Sequence, residues 1–144
     1  MSKEKSKDKP AKERVVQTSG SRKRAVARAT LKKGTGLVRI NNVPLESYSH
    51  KYAQLKIREP LVLAGDLSNT VDIRVDTFGG GVSGQAEAVR LAIASALVEY
   101  SKDKKLKELY LSYDRHLLVA DTRRAESSKP NNSKPRHARQ TSYR

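Results

Sequence analysis

The chain has 144 residues, a formal net charge of +15 at pH 7 and no cysteine. This length suits one domain with appendages, and the lack of cysteine excludes a disulfide framework and any thiolate metal site. No apolar run approaches the roughly 20 residues that span a bilayer, and the charged N-terminal segment lacks an apolar signal core, so we expect a soluble cytoplasmic protein with no membrane partner.

The positive charge is concentrated in one part of the domain and in the two terminal segments. Residues 15–40 carry seven cations and no acid, whereas residues 41–120 carry ten of each. Residues 1–14 carry six cations and three acids, contain almost nothing apolar and are predicted to be disordered on their own. Residues 121–144 carry seven cations and two acids. This distribution predicts a binding surface for a polyanion.

The first predicted element is a strand between Thr18 and Lys33, in which small apolar residues alternate with cations. Ala25, Ala27, Ala29 and Leu31 are predicted to face inward beneath a helix, because side chains on a strand alternate between its two faces. Arg22, Arg24, Arg28 and Lys32 are predicted to face outward. A solvated strand face would normally mix signs, so we expect a face that contacts phosphates. The candidate RNA-binding residues here are Arg22, Lys23, Arg24, Arg28, Lys32, Lys33 and Arg39.

The next segments predict a hairpin and a helix. Glycines at 34 and 36 predict a turn, after which Val38 and Ile40 form a returning strand with Arg39 on its other face. Pro44 is predicted to open a helix that Pro60 ends, followed by a short apolar turn closed by Gly65. Tyr48, Tyr52 and Leu55 lie at helical spacing on that helix, and packing at the edge of the core is favoured over base stacking for the two tyrosines.

The centre of the chain predicts a strand, a glycine turn and a buried helix. Residues 71–76 alternate apolar and charged side chains within a strand predicted at 70–78, and the stretch from Ala88 to Val98 is apolar except for Arg90 and Ser95. The turn between them contains Gly79, Gly80, Gly81 and Gly84. These glycines fit a nucleotide-binding pattern weakly, since another helix and not a second parallel strand is predicted soon after this helix, and the lysine of a phosphate-binding loop is missing. We instead expect a tight turn with Ser83 capping the helix, with a minor backbone contact to an RNA phosphate at the helix N-terminus.

The last part of the domain predicts a helix and a short strand. Asp103 is predicted to cap a helix with Leu106, Leu109, Tyr110 and Tyr113 on its apolar face. Residues 117–120 are short enough to form a closing strand. The globular part is therefore predicted to span residues 15–120 as an α+β domain, with helices on one face of a small mixed sheet and the other face available.

The segment from 121 to 144 predicts an extended basic tail. It contains two prolines, no run that could form a core, and cations at Arg123, Arg124, Lys129, Lys134, Arg136, Arg139 and Arg144. A disordered solubilising tail is one interpretation. The other is a tail that passes between phosphates and becomes ordered on binding RNA.

Three segments in order resemble one known family. They are SGSRKRAVARATLKKGTGLVRINNVPLESY, TFGGGVSGQAEAVRLAIASAL and the basic tail ending in SYR. Together they resemble the universal small-subunit ribosomal protein called S-nine, in its archaeal and eukaryotic form. The resemblance implies a fold similar to the second domain of the small-subunit protein S-five, an α+β sandwich with a left-handed βαβ crossover.

The same resemblance implies a structural role without a cofactor or catalytic site. It implies a place in the head of the small ribosomal subunit, bound to ribosomal RNA and beside other head proteins, and no homo-oligomer is expected. The tail would reach the transfer RNA at the peptidyl site. Carried onto this sequence, that contact is implied for Arg139, Gln140, Tyr143 and Arg144.

Two other classes of function remain open from the residues alone. A nucleotide-binding or phosphotransfer enzyme is one, because a related fold occurs in kinases. However, His50, His116 and His137 lie in three separate segments without a second metal-ligand residue at suitable spacing. The other is a free basic protein that binds DNA or RNA, for which the same charge distribution would serve.

Overall fold

The computed structural model describes residues 14–137 and residue 142. The sheet contains β1 (Val16–Arg22), β2 (Ala25–Lys33), β3 (Val38–Ile40), β4 (Val43–Pro44) and β5 (Val71–Phe78). The α-helices are α1 (Lys51–Ala64), α2 (Asp66–Asn69), α3 (Val82–Ser101) and α4 (Lys104–Tyr113). Short 3-10 helices occupy Leu45–Ser47 and Arg115–Leu117. In the described part of the chain, every helix is too short or too polar to cross a membrane.

The five strands form one mixed sheet in the order β1-β2-β5-β3-β4. β5 lies between β2 and β3, antiparallel to β2 and parallel to β3. The predicted hairpin between β2 and β3 is therefore wrong, because the longer β5 pairs with both strands. The chain passes from β3 to the parallel strand β5 through α1, as in a βαβ unit. The left-handedness of this crossover stays a prediction.

The turn after β2 explains how β3 is separated from β2. One side-chain oxygen of Asp72, on β5, accepts hydrogen bonds from the backbone N–H groups of Thr35 at 2.8 Å and Leu37 at 3.1 Å. These bonds hold the predicted glycine turn against the start of β5 and hydrogen bonding to the loop lowers the pKa of Asp72. The loop therefore passes over the start of β5, which places β3 on the side of β5 that is away from β2.

The core lies on one face of the sheet, beneath α3. The small inward residues of β2 are fully buried there, as the alternation predicts, and α1 contributes Ala53 and Ile57 to the same cluster. On the neighbouring β1 a glycine is required, because the backbone of α3 comes very near: a Cβ atom on Gly20 would lie 2.3 Å from the carbonyl oxygen of Ala88. The predicted arrangement of helices on one face is confirmed.

The predicted single strand from Thr18 to Lys33 is two strands. A two-residue turn at Lys23 and Arg24, with Lys23 at a φ of 54°, reverses the chain between β1 and β2. This reversal places Arg22 opposite Ala25, on the inner side of the sheet with the helices. The prediction that Arg22 and Arg24 extend the outward row of Arg28 and Lys32 is therefore wrong.

The helix predicted between Pro44 and Pro60 is shifted along the chain. Pro44 belongs to β4, and α1 runs through Pro60 to Ala64 before Gly65 at a φ of 57° ends it. Pro60 is fully buried, and its carbonyl oxygen accepts a hydrogen bond of 2.7 Å from the Tyr110 hydroxyl, contacts that hold the proline within the helix despite its missing N–H. Tyr52 and Leu55 are exposed, since Ala53, Ile57 and Pro60 form the buried face instead.

The C-terminal end of the domain differs partly from expectation. Asp103 caps α4 as predicted, accepting a hydrogen bond of 2.9 Å from the backbone N–H of Lys105. Only Tyr110 of the predicted apolar face is fully buried, while Leu109 and Tyr113 are exposed. The predicted strand at 117–120 is wrong, because Asp114 caps a 3-10 turn that inserts Leu117 beside Tyr110.

Candidate nucleic-acid interface

The glycine turn packs against the turn between β1 and β2. Gly79 and Gly80 have φ values of 73° and 66°, which side chains disfavour. A Cβ atom on Gly79 would lie 2.5 Å from the carbonyl oxygen of Arg24, and one on Gly80 would lie 2.9 Å from the Cβ of Ala25. The glycines therefore serve a close approach of two backbones, as the tight-turn interpretation predicts.

The N-terminus of α3 opens beside this contact. Gly81 is the N-cap residue, and within the described residues no side chain caps the helix, so the predicted cap by Ser83 is wrong. Because the first N–H groups of a helix lack intrahelical partners, they carry a partial positive charge. This end of α3 therefore adds to the positive potential of the neighbouring cations.

The start of the tail lies in the same place. An open groove is lined by the β1–β2 turn, residues 80–84 and residues 123–125. The Nη1 atom of Arg124 donates a hydrogen bond of 2.9 Å to the backbone carbonyl of Lys23, a residue 101 positions away. We call Lys23, Arg24 and Arg124 the corner cluster. All three side chains are exposed.

A network of ion pairs lies beneath the corner cluster. Nε of Arg22 lies 2.6 Å from a carboxylate oxygen of Glu87 on α3, and its Nη1 contacts Asp121. The ammonium of Lys56 lies 2.9 Å from the other oxygen of Glu87. Burial by itself would raise the pKa of Glu87, but the hydrogen bonds from Lys56 and Arg22 outweigh it and lower that pKa. Arg22 is thus neutralised inside the protein.

A second group of ion pairs adjoins this network. Arg90 contacts Glu59 at 2.5 Å and Asp114 at 2.7 Å, joining α3 to α1 and to the segment after α4. The side chain of Arg90 is only 11% exposed. A buried charge needs such partners, so the one cation in the apolar part of α3 has a structural role.

The outer face of the sheet carries charges of both signs. Arg28 lies opposite Asp76, and Lys32 lies opposite Asp72, where β2 pairs with β5. Arg39 lies beside Arg74, whose guanidinium is 3.6 Å from Asp76. The outward cations of β2 therefore share their face with acids that β5 supplies and that residues 15–40 lack, while contact of this face with phosphates stays a prediction.

The remaining predicted site residues are spread along the tail and the end of β2. Lys33 is exposed at the end of β2, and Lys129 and Lys134 are exposed in the tail. In the described part of the tail, Arg136 is neutralised by Glu126 at 2.5 Å, and Arg123 is neutralised by Asp121. The residues predicted to contact transfer RNA, which are Arg139, Gln140, Tyr143 and Arg144, lie outside the described residues.

Residues 20–144 match the family model described as ribosomal protein S9/S16. The chain is 48% identical to the small ribosomal subunit protein uS9 of Methanococcus maripaludis strain C7, over 91% of this chain and 99% of that protein. It is 47% identical, over the same shares, to the protein of that name from Methanococcus vannielii.

The chain belongs to the ribosomal protein S9/S16 family. The predicted resemblance is thereby confirmed. This is a family of ribosomal proteins and not of enzymes. Over the described residues, no group of three or more histidines, aspartates and glutamates is placed to hold a metal ion.

The acids that neutralise some of the predicted RNA-binding cations were not predicted from the sequence. Glu87 and Asp121, and the Lys56 that pairs with Glu87, were not predicted site residues, yet the two acids neutralise Arg22. One signal was present: Glu87 is the only acid between Val82 and Val98. An acid on a largely apolar helix needs a partner, so its cation could have been sought.

Proposed function

We propose that this protein is a structural constituent of the small ribosomal subunit, in its head, and that it binds ribosomal RNA through the corner cluster and the tail. The relatives named above are small ribosomal subunit proteins. The observation that carries the proposal is the corner itself, where exposed cations from two distant segments meet beside the N-terminus of α3, which no described side chain caps. Glu87 and Asp121 beneath the corner are already paired with Arg22, Lys56 and Arg123, and Glu126 beside Arg124 is paired with Arg136.

This arrangement favours recognition of phosphates over recognition of bases. The planar guanidinium of an arginine can meet two phosphate oxygens at once, and backbone N–H groups at a helix start also favour anions. Side chains enter the deep groove of an RNA helix poorly, and the groove at the corner has no aromatic side chain among its described lining residues. Binding should therefore depend on RNA shape and backbone position.

The first experiment measures the affinity of the full chain for small-subunit ribosomal RNA at several salt concentrations. We expect affinity to fall steeply as salt rises, because each neutralised phosphate releases condensed counterions. The same protein should sediment with small ribosomal subunits in a cell extract. An affinity independent of salt, or sedimentation away from the subunit, would contradict the proposal and favour a free nucleic-acid-binding protein.

The tail is proposed to contact transfer RNA at the peptidyl site through Arg139, Gln140, Tyr143 and Arg144. Deleting residues 140–144 should leave assembly into the subunit unchanged and weaken transfer RNA binding at that site by about fivefold, since few phosphate contacts are removed. The matched control replaces the same five residues by a glycine and serine segment of equal length. Loss of assembly in the deletion variant would show that the end of the tail serves the subunit instead.

A further inference from the structure

The tail begins at an acid in the middle of a basic region. Asp121 is the first tail residue and its side chain is only 11% exposed. We infer that Asp121 is a positioning residue, which fixes the direction of the tail and holds the corner cluster together, and so strengthens the binding of RNA phosphates although its own charge repels them. The inference rests on the proposed function of the corner.

Asp121 binds the tail and the sheet at the same time. Its carboxylate accepts hydrogen bonds from the backbone N–H of Arg123 at 2.9 Å and from the side-chain nitrogens of Arg123 at 2.9 and 2.6 Å. The same carboxylate contacts Nη1 of Arg22 at the end of β1. The hydrogen bonds from Arg123 and the nearby charge of Arg22 lower the pKa of Asp121, so the group is ionised at neutral pH.

Arg22 continues this connection into the helices. It pairs with Glu87 on α3, and Glu87 pairs with Lys56 on α1. The side chain of Arg22 is only 18% exposed, which limits the screening of both of its ion pairs by solvent. The first residue of the tail is thus joined to three elements of the domain.

The position of Arg124 follows from this attachment. Arg124 lies three residues beyond Asp121, and its guanidinium donates a hydrogen bond of 2.9 Å to the carbonyl oxygen of Lys23. The main chain after Ala120 lacks helix and strand as far as residue 129, so regular backbone hydrogen bonds do not fix this part of the described tail. The side chain of Asp121 supplies the missing constraint, and a cluster held in place loses less conformational entropy on binding.

Simple electrostatics predicts the opposite effect of removing this acid. Replacing Asp121 by asparagine raises the net charge by one and frees Arg22 and Arg123 from an ion pair. Every one of these changes would strengthen attraction to RNA if position were unimportant. The sign of the change in affinity therefore separates a positioning role from a charge effect.

The experiment compares Asp121→Asn with Asp76→Asn in the full chain. Both variants replace an aspartate by asparagine and raise the net charge by one, but Asp76 lies on the outer face and its side chain is 62% exposed. The probe is small-subunit ribosomal RNA, with affinity measured over a range of salt. Backbone order at residues 122–125 is measured by NMR relaxation in the free protein, and folding is checked by thermal melting.

For Asp121→Asn we expect about fivefold weaker RNA binding, a shallower salt dependence and increased motion at residues 122–125, with the domain still folded. Asp121→Glu, which keeps the charge, should recover at least half of the lost affinity on a logarithmic scale. Asp76→Asn should bind as tightly as the unchanged protein or more tightly.

Two outcomes would overturn the inference. One is that Asp121→Asn binds RNA as tightly as Asp76→Asn, and the other is that residues 122–125 keep the same order in both variants. If Asp121→Asn unfolds, Asp121→Glu and the relaxation data on the unchanged protein still decide, because a mobile segment at 122–125 contradicts the anchor. Failure of the unchanged protein to bind the RNA would instead contradict the proposed function.

Discussion

The corner cluster and the outer face of the sheet are both rich in cations, but their surroundings differ. On the outer face, Arg28 and Lys32 lie opposite Asp76 and Asp72 of β5. At the corner, Glu87 and Asp121 are already paired with Arg22, Lys56 and Arg123, and Glu126, which lines a hollow together with Arg124, is paired with Arg136. The exposed cations at the corner therefore keep their charge available for an external anion.

The difference shows that a cationic stretch of sequence does not define a cationic surface. Residues 15–40 contain no acid, yet their outward side chains share a face with acids from a strand that begins at Val71. The corner gains its character in the opposite way, because the tail brings Arg124 to Lys23. In both regions the partners across space decide how much charge is left for RNA.

The largest expected effect comes from removing the corner cluster. The triple variant Lys23→Gln, Arg24→Gln and Arg124→Gln should bind small-subunit ribosomal RNA on the order of a hundredfold more weakly, because about three phosphate contacts are lost. Affinity and its salt dependence are measured by titration with labelled RNA. The slope of the salt dependence should fall by about two to three.

The matched control removes three cations from the outer face. Arg28→Gln, Lys32→Gln and Arg39→Gln change the net charge by the same amount, and all three side chains are exposed. We expect a loss of less than about fivefold, because the neighbouring acids already weaken the potential of this face. Equal losses in the two triple variants would show that total charge, and not the corner, determines binding.

An intermediate effect is expected from Glu87→Gln, which tests whether Arg22 belongs to the network beneath the corner. The pKa of Glu87 in the unchanged protein is lowered by folding relative to its ordinary value of 4.5, so the ionised form of Glu87 stabilises the fold. That contribution is complete above pH 4.5 and is lost as pH falls through the lowered folded pKa. The variant should lose about 1 kcal/mol at neutral pH and depend less on pH below 4.5.

Chemical denaturation between pH 3 and pH 7 measures this difference. Glu46→Gln, which removes an exposed carboxylate after β4, is the control and should leave the stability within about 0.5 kcal/mol of that of the unchanged protein. Equal pH dependence of the unchanged protein and Glu87→Gln would show that Arg22 is not held by Glu87. Arg22 would then count among the exposed cations.

The smallest expected effect is on the outer face. Asp76→Asn removes an acid that lies opposite Arg28 and contacts Arg74 at 3.6 Å. If interleaved acids keep this face from binding RNA, affinity should rise by up to about twofold. A rise of tenfold or more, measured in the same titration, would mean that the outer face is a principal RNA-binding surface.

The sequence alone determined the elements whose signals are local. The alternation in β2 and β5, the apolar run of α3 and the cap by Asp103 depend on neighbours within a few residues, and all are confirmed. The family was also recognisable from the order of three segments and is confirmed. Periodicity and capping need no knowledge of distant contacts, which explains these successes.

Tertiary structure decided where the strands pair and where the charges lie. Pro60 lies within a helix because Tyr110 and the core support it, and β3 lies beyond β5 because Asp72 holds the loop there. Arg22 lies on the inner side at a hairpin that the alternation did not reveal, because the alternating pattern of small and charged residues continues without a break across the turn. Ion pairs form between residues that fold together, so only the folded chain showed that Arg22 is neutralised and that Lys23 and Arg124 lie side by side.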